Sequence, residues 1–268
     1  MSTSPATRRP LALVTGASNG IGLEIARELA ARGHDLLLVA RSEPRLAALA
    51  AELHGRHGVR ADALAIDLAT REAADRLVDE VERRGLQVDV LVNNAGFGLY
   101  GRHVQTSLDD EQQMIDVNVT TLTRLAKRLL PAMVRRGRGR ILNVASTAAF
   151  QPGPYMAVYY ATKAYVLSYS EALAEELAGT GVTVTALCPG PTASGFQDKA
   201  AMHDSALVHG KRLPTAAEVA AYGVRALQAG QRVAVPGLMN RLLVQSVRVT
   251  PRRLVTLLVA RMSRPVAA

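Results

Sequence analysis

Tyr159 and Lys163, in the run Tyr159-Tyr160-Ala161-Thr162-Lys163, set a phenol and an ammonium four residues apart, on one face of the chain if that segment is helical. A tyrosine ordinarily titrates near ~10, too high for a useful acid at neutrality. A fixed cation a few ångströms away favours the phenolate and lowers that value. A tyrosine tuned in this way can pass a proton to or from an alcohol oxygen while hydride moves at the attached carbon. The chain has only four lysines, at 127, 163, 199 and 211, against 28 arginines, so a lysine at 163 is not its default cation. A lone Tyr-x-x-x-Lys is more often two neighbours on an exposed helix, so the rest of the chain must decide.

Further upstream stands Thr15-Gly16-Ala17-Ser18-Asn19-Gly20-Ile21-Gly22. Glycines let a backbone turn sharply and come close to a ligand. The helix N-terminus that would follow offers unsatisfied N–H groups and partial positive charge to a diphosphate. A glycine triplet is a weak sign alone and a good one at a first strand-to-helix junction. After the second apolar run the chain reads Leu38-Val39-Ala40-Arg41-Ser42. An acidic residue there would meet the ribose 2′-hydroxyl of NAD. Arg41, aided by Ser42, suits instead the 2′-phosphate of NADP through charge-assisted bonds, which favours NADP(H) and leaves NAD(H) as the alternative, with Glu43 nearby as its one carboxylate. Asp67-Leu68 and Asn93-Asn94-Ala95-Gly96 end two more runs and could line an adenine and ribose cleft, although each alone reads as a strand-end turn.

These groups need a scaffold that brings strand ends together. Apolar runs of strand length alternate with longer helical patterns from Leu11 to about Val235, the signature of βαβ units and a parallel sheet. Strands are expected near 11–15, 35–40, 61–66, 88–92, 139–145, 182–188 and 232–235, giving a doubly wound α/β sheet of about seven strands. The first helix runs from Gly20 to a glycine stop at Gly33. A long helix over 154–178 carries Tyr159 and Lys163, and 107–135 reads as two helical stretches. Residues 190–214 lack periodicity, as binding loops often do. We expect a short N-terminal segment (1–10), one catalytic domain (11–237) and a basic helical extension (238–268) packed on it, divided by Pro251.

The 268 residues are 49% hydrophobic with no tryptophan and three phenylalanines, which calls for an Ala, Val, Leu and Ile core as in a helix-covered parallel sheet. The single cysteine, Cys188, excludes an internal disulfide framework and fits a reducing compartment. With no convincing targeting signal, a cytoplasmic location is expected. The net charge of +9 raises nucleic acid as a partner, but the arginines alternate with carboxylates on helices and aromatic residues for base stacking are few. No nucleic-acid role and no metal site are expected.

On these residues the chain closely resembles the short-chain dehydrogenase/reductase family in its single-domain, Rossmann-fold form, over about residues 10–235. The family's glycine motif falls on Gly16, Gly20 and Gly22, its Asn-Asn-Ala-Gly on 93–96, its helix asparagine on Asn118, its serine on Ser146, its Tyr-x-x-x-Lys on Tyr159 and Lys163, and its Pro-Gly turn on Pro189-Gly190. The resemblance implies that Ser146 steadies the substrate oxygen and Tyr159 transfers the proton. It implies that Lys163 lowers the tyrosine pKa and binds the nicotinamide ribose, while Asn118 holds a water linking Lys163 to solvent. It also implies cofactor contacts from Ser18, Asn19 and Ile21 at the diphosphate, Asp67 and Leu68 at the adenine, Asn94 and Ala95 at the ribose, and Thr192 or Ser194 at the nicotinamide amide or the phosphates.

The implied activity is an NADP(H)-dependent interconversion of a carbonyl and a secondary alcohol, run as a reductase. Phe97, Leu99, Tyr100, the stretch 150–158 and the segment 192–214 would line an apolar substrate side. A homodimer or homotetramer is implied by resemblance alone. The rival reading is a non-catalytic NADPH-binding or membrane-surface protein that works through its C-terminal helices, since a basic amphipathic helix can lie on a membrane. For those helices, covering the substrate pocket or a subunit interface is favoured over membrane contact.

Overall fold

In β2 (Asp35–Ala40) four of six residues are consecutive Leu or Val, and strand geometry sends alternate side chains to opposite faces. Leu36 and Leu38 join one core cluster, and Leu37 and Val39 the other. The same alternation splits Ala12 and Val14 from Leu11 and Leu13 in β1 (Leu11–Thr15). Strands buried on both faces read as unbroken apolar runs, as helix-covered parallel strands must. The computed structural model describes residues 8–195 and 213–264.

The remaining strands are β3 (Ala61–Ala65), β4 (Val88–Asn93), β5 (Gly139–Val144), β6 (Val182–Leu187) and β7 (Val233–Ala234). They form one sheet in the order β3-β2-β1-β4-β5-β6-β7 with every neighbouring pair parallel. The chain winds outward from β1 in one direction and returns to build from β4 in the other. The crevice at that reversal, outside the carboxyl ends of β1 and β4, is where such sheets bind ligands.

One face is covered by α1 (Gly20–Ala31), α2 (Glu43–His57) and α7 (Ala216–Gln228), the other by α3 (Ala73–Arg83), α5 (Leu122–Arg135) and α6 (Ala157–Glu176). Between α4 (Leu108–Ile115) and α5 the helix passes through a π turn, Asp116–Thr121. The expected elements are present with ends shifted by a few residues; β7 shrinks to two residues, and α6 starts at Ala157. Tyr155, in a left-handed conformation at φ 69°, delays α6, since that conformation cannot continue a helix. Beyond β7 lie α8 (Leu238–Ser246) and α9 (Arg252–Ser263), parted at Pro251 as the sequence suggests. Most of the aperiodic segment (196–212) and residues 1–7 lie outside the described residues.

Candidate active site

Four elements converge at the carboxyl end of the sheet. Thr15, the last residue of β1, is buried, and its hydroxyl donates to the Val92 carbonyl (3.1 Å) and accepts from the Asn94 and Ala95 amides (3.0 and 3.1 Å). The Asn94 side chain returns the tie by donating to the carbonyls of Thr15 and Gly16 (2.9 and 3.2 Å). Such bonds satisfy backbone groups that the sheet leaves open at its end. They clamp the glycine loop to the Asn93–Gly96 turn. A Cβ on Gly22 would fall 2.2 Å from the Asn94 amide nitrogen and 2.4 Å from the Gly16 carbonyl oxygen. The close approach at this third glycine is therefore to the protein's own turn.

The rest of the loop faces the crevice. Ser18, Asn19, Gly20 and Ile21 are partly exposed, and α1 begins with neither a side-chain cap nor an acidic residue in its first turn. By contrast Ser107 caps α4, and Thr215 with Glu218 forms a capping box on α7. Arg41 and Asp67 are exposed at the ends of β2 and β3, and Leu68 is buried with its carbonyl accepting from Thr121 Oγ1 (2.8 Å). Ser194 lies against Gly20, 3.3 Å from where a Cβ would stand. Thr192 is buried, its hydroxyl donating to the Gly190 carbonyl (2.9 Å) in the turn after Pro189. Of the uncertain pair, Ser194 thus sits against the glycine loop, and Thr192 is fixed within its own turn.

Ser146, Tyr159, Lys163 and Asn118 come together beside β5. Ser146 Oγ accepts from the Ala148 amide (3.1 Å), donates to the Pro189 carbonyl (3.3 Å), and shares a hydrogen bond with the Tyr159 phenol. Lys163 is buried, its Nζ donating to the Val144 carbonyl (2.7 Å) and lying 5.8 Å from the centre of the Tyr159 ring. Gly96 is packed tightly here: a Cβ would fall 2.9 Å from Asn118 Oδ1 and 3.5 Å from Lys163 Nζ. Tyr160 turns away, its ring against Gly153 and edge-on to Tyr159 at 6.1 Å.

The electrostatics correct one expectation. Tyr159 is 9% exposed, and burial raises its phenol well above the ordinary tyrosine range, with the Ser146 hydrogen bond pulling only partly the other way. Burial also lowers Lys163 to about 8. Removing either group from water disfavours its charged form, and here that effect outweighs the attraction expected between phenolate and ammonium. Cys188, beside Lys163, is pushed up to about 12 by burial; its thiol therefore stays protonated.

Asn118 has its side chain taken up by the protein, accepting from the Phe97 amide (3.1 Å) and donating to the Phe97 carbonyl and Thr162 Oγ1 (both 3.0 Å). A water would have to be held by its main chain, and Asn118 lies within the π turn, where the regular helical hydrogen-bond ladder is broken.

Sequence reasoning missed a second polar layer. Asn93 and Asn143 are register partners in β4 and β5. Asn93 Nδ2 donates to Asn143 Oδ1 (2.9 Å), Asn143 Nδ2 to Ser170 Oγ (2.9 Å), and Ser170 Oγ to the Val166 carbonyl (2.6 Å). This chain ties α6 to the sheet behind Lys163. Two amides near the ends of otherwise apolar runs were its visible signal.

The region expected to face the substrate is apolar. Met114, Ala148, Met156, Tyr159 and Tyr160 cluster with Val255 and Val259 of α9, and Phe97, Leu99, Tyr100 and Val158 pack against them. Tyr100 Oη donates to the Ser263 carbonyl (2.6 Å). The inner face of α9 is therefore a wall of this apolar cluster. Glu111, nearly buried at the edge, accepts from Thr106 Oγ1 (2.7 Å) and contacts His103 Nδ1 (3.1 Å).

Comparisons with known proteins agree with this geometry. A family model described as short chain dehydrogenase matches residues 10–204. A short chain dehydrogenase of Pseudocercospora fijiensis is 38% identical over 68% of this chain and 60% of its own length. A very-long-chain 3-oxoacyl-CoA reductase of Mycosarcoma maydis is 38% identical over 68% of this chain and 53% of its own. The chain thus spans less than two thirds of either relative. Among solved structures, a short-chain dehydrogenase from Sphingobium yanoikuyae in complex with NADPH superposes with a TM-score of 0.80 at 33% identity, covering 91% of this chain and 97% of that one. With its sheet order, glycine loop and Ser-Tyr-Lys group, the chain belongs to the short-chain dehydrogenase/reductase family, whose members are oxidoreductases of alcohol and carbonyl groups.

Proposed function

We propose that the chain reduces a hydrophobic carbonyl compound to a secondary alcohol with NADPH, with Tyr159 as the proton donor. The observation that carries this is the buried Tyr159 phenol, hydrogen-bonded to Ser146, beside Lys163 and open to an apolar cluster on its other side.

The crevice residues fit a dinucleotide. The uncapped N-terminus of α1 leaves N–H groups and partial positive charge for a diphosphate, held by the loop Gly16–Gly22. Arg41 would meet a 2′-phosphate, Asp67 and Leu68 the adenine, Asn94, Ala95 and Gly96 the ribose, and Pro189, Gly190 and Thr192 the nicotinamide amide. The chemistry that NADPH supplies when bound is a hydride for the carbonyl carbon.

Ser146 would turn its one hydroxyl proton from the Pro189 carbonyl to the substrate's carbonyl oxygen, orienting it and sharing the negative charge that develops there. A phenol held neutral by burial is always protonated near neutrality, so Tyr159 is ready as the acid. Its proton passes to the substrate oxygen, and the resulting phenolate is stabilised by the Lys163 ammonium. Lys163 returns a proton to the phenolate and is itself recharged from solvent past the main chain of Asn118. The apolar wall of Leu99, Met156, Val158 and Val255 excludes water and favours a greasy substrate. The relative named as a very-long-chain 3-oxoacyl-CoA reductase supports a long acyl or similarly apolar carbonyl.

Titration of the purified chain with NADPH and NADH tests the cofactor, and Arg41→Ala should weaken NADPH by ~10–100-fold while leaving NADH unchanged. A parent chain that binds neither nucleotide ends the proposal.

A further inference from the structure

Arginine behaves differently in two parts of this chain. Over the α/β body many guanidinium groups are matched: Arg27 with Glu24 and Glu52, Arg83 with Glu80, Arg128 with Asp75 and Asp79, and Arg138 with Asp89. From Val219 to the last residue the sequence has eight arginines and no Asp or Glu. Arg248, Arg252, Arg253, Arg261 and Arg264 are exposed and make no ion pair among the described residues.

The same helices turn apolar side chains to water. On α8, Leu238, Met239, Leu242 and Leu243 are exposed while Val244 is buried; on α9, Leu254, Leu257, Leu258 and Met262 are exposed while Val255, Val259 and Ser263 are buried. At 100° per residue the outward side chains of α9 form one stripe, with Arg261 inside it and Arg253 and Arg264 along its edge. Val249, between the helices, is 86% exposed. Exposed apolar surface of this extent marks an interaction site.

Charge selects the occupant. A second copy offering the same face would oppose arginines to arginines with no carboxylate to separate them. Residues 238–264 also contain no aromatic residue of the kind that anchors protein interfaces. Leu, Met and Val stripes flanked by arginines that make no ion pair among the described residues match a bilayer surface, where apolar side chains enter the headgroup boundary and guanidinium groups meet lipid phosphates. No described helix is long and apolar enough to cross a membrane, so contact would be along the surface. We infer that α8 and α9 dock this protein onto an anionic lipid surface through their outer faces. The inner face of α9 walls the apolar end of the cleft, so docking would bring that wall to the lipid boundary.

This inference stands apart from the reductase proposal, because its test reads lipid binding and not turnover. The full chain is floated with phosphatidylcholine vesicles containing 30 mol% phosphatidylglycerol and with pure phosphatidylcholine. It should rise with the anionic vesicles, at least tenfold more than with the neutral ones, and lose most of that binding at high salt. Arg253→Glu/Arg261→Glu and, separately, Leu257→Ser/Leu258→Ser should each reduce it at least tenfold with an unchanged unfolding temperature. Arg56→Glu, on α2, should leave it intact. Failure to bind anionic vesicles, or equal binding by all variants, overturns the inference. So does sedimentation showing an oligomer that these substitutions dissolve while vesicle binding is absent.

Discussion

The cleft has two halves that are held by different forces. The polar half is fixed by buried hydrogen bonds from the sheet ends: Thr15 with Asn94, Lys163 with Val144, Asn118 with Phe97 and Thr162. The apolar half is assembled from connecting segments and α9 by side-chain contact, with Tyr100 to the Ser263 carbonyl as a polar tie. Buried hydrogen bonds are directional and costly to leave unmade, whereas apolar contacts tolerate repacking. On the proposed function, the half where a proton would move is rigid, and the half that would select a substrate is adaptable. Substitutions in the polar half should therefore lower kcat, and substitutions in the apolar half should chiefly raise KM.

The sharpest separation comes from Tyr159→Phe. It deletes the acid and keeps the ring, so turnover of a carbonyl substrate should fall by about 10²–10⁴-fold while NADPH affinity measured by titration stays within twofold. Turnover within tenfold of the parent would remove the tyrosine from the chemistry and erase the distinction between the halves.

Two glycines test the rigidity itself. Gly22→Ala places a methyl into Asn94 and the Gly16 carbonyl, neither of which can move without breaking the clamp. The cost should be about 3 kcal/mol of unfolding free energy, with NADPH affinity lost alongside. Gly55→Ala, within α2 and with no atom within 4 Å of the new methyl, should instead stabilise by ~1 kcal/mol through helix propensity. Denaturant unfolding of both variants measures the contrast, and equal effects would deny that the glycine loop is clamped.

How far these features could be read in the sequence follows the same division. The sheet was legible because strands buried on two faces, such as Leu36–Val39, are unbroken apolar runs. The Tyr159–Lys163 pair was legible because a four-residue spacing sets both on one face of α6, and Ser146, outside that helix, was legible only through the family pattern. Burial was not legible, so the direction of the Tyr159 shift was misjudged: sequence places an ammonium four residues from a phenol, but not how little water reaches either. The π turn was also hidden, because Asp116–Thr121 continues a helical apolar pattern and only the Asn118 contacts to Phe97 and Thr162 reveal the extra residue. The Asn93–Asn143 pair needed strand register, which no single segment contains.

Lys163 offers a smaller but signed effect. Its ammonium titrates near 10.5 when unfolded and about 8 when folded, so between those values the unfolded chain binds the extra proton. The destabilisation is fully present below about pH 8 and is relieved as pH rises towards 10. Lys163→Met should therefore be more stable than the parent at pH 7 by about 2 kcal/mol, after subtracting the bond lost to Val144. The gap should close by pH 10 in paired thermal melts, and a variant that melts lower at pH 7 would contradict it. In the parent, kcat/KM for reduction should decline as pH rises through about 8, because that ratio reports groups of the free enzyme and Lys163 is losing its charge.

The mildest substitution probes the apolar half. Tyr100→Phe keeps the ring in its cluster and removes its bond to the buried Ser263 carbonyl (2.6 Å). A single neutral hydrogen bond is worth about 1 kcal/mol, so the unfolding temperature should drop by ~2–4 °C. With its tie cut, α9 still packs through Val255 and Val259, and the wall loosens without leaving. KM for an apolar carbonyl substrate should rise by a few-fold while kcat remains within twofold, because Ser146, Tyr159 and Lys163 are held by the sheet and α6. A matching fall in kcat would mean that the wall helps to position the acid, and the two halves of the cleft would then be a single mechanical unit.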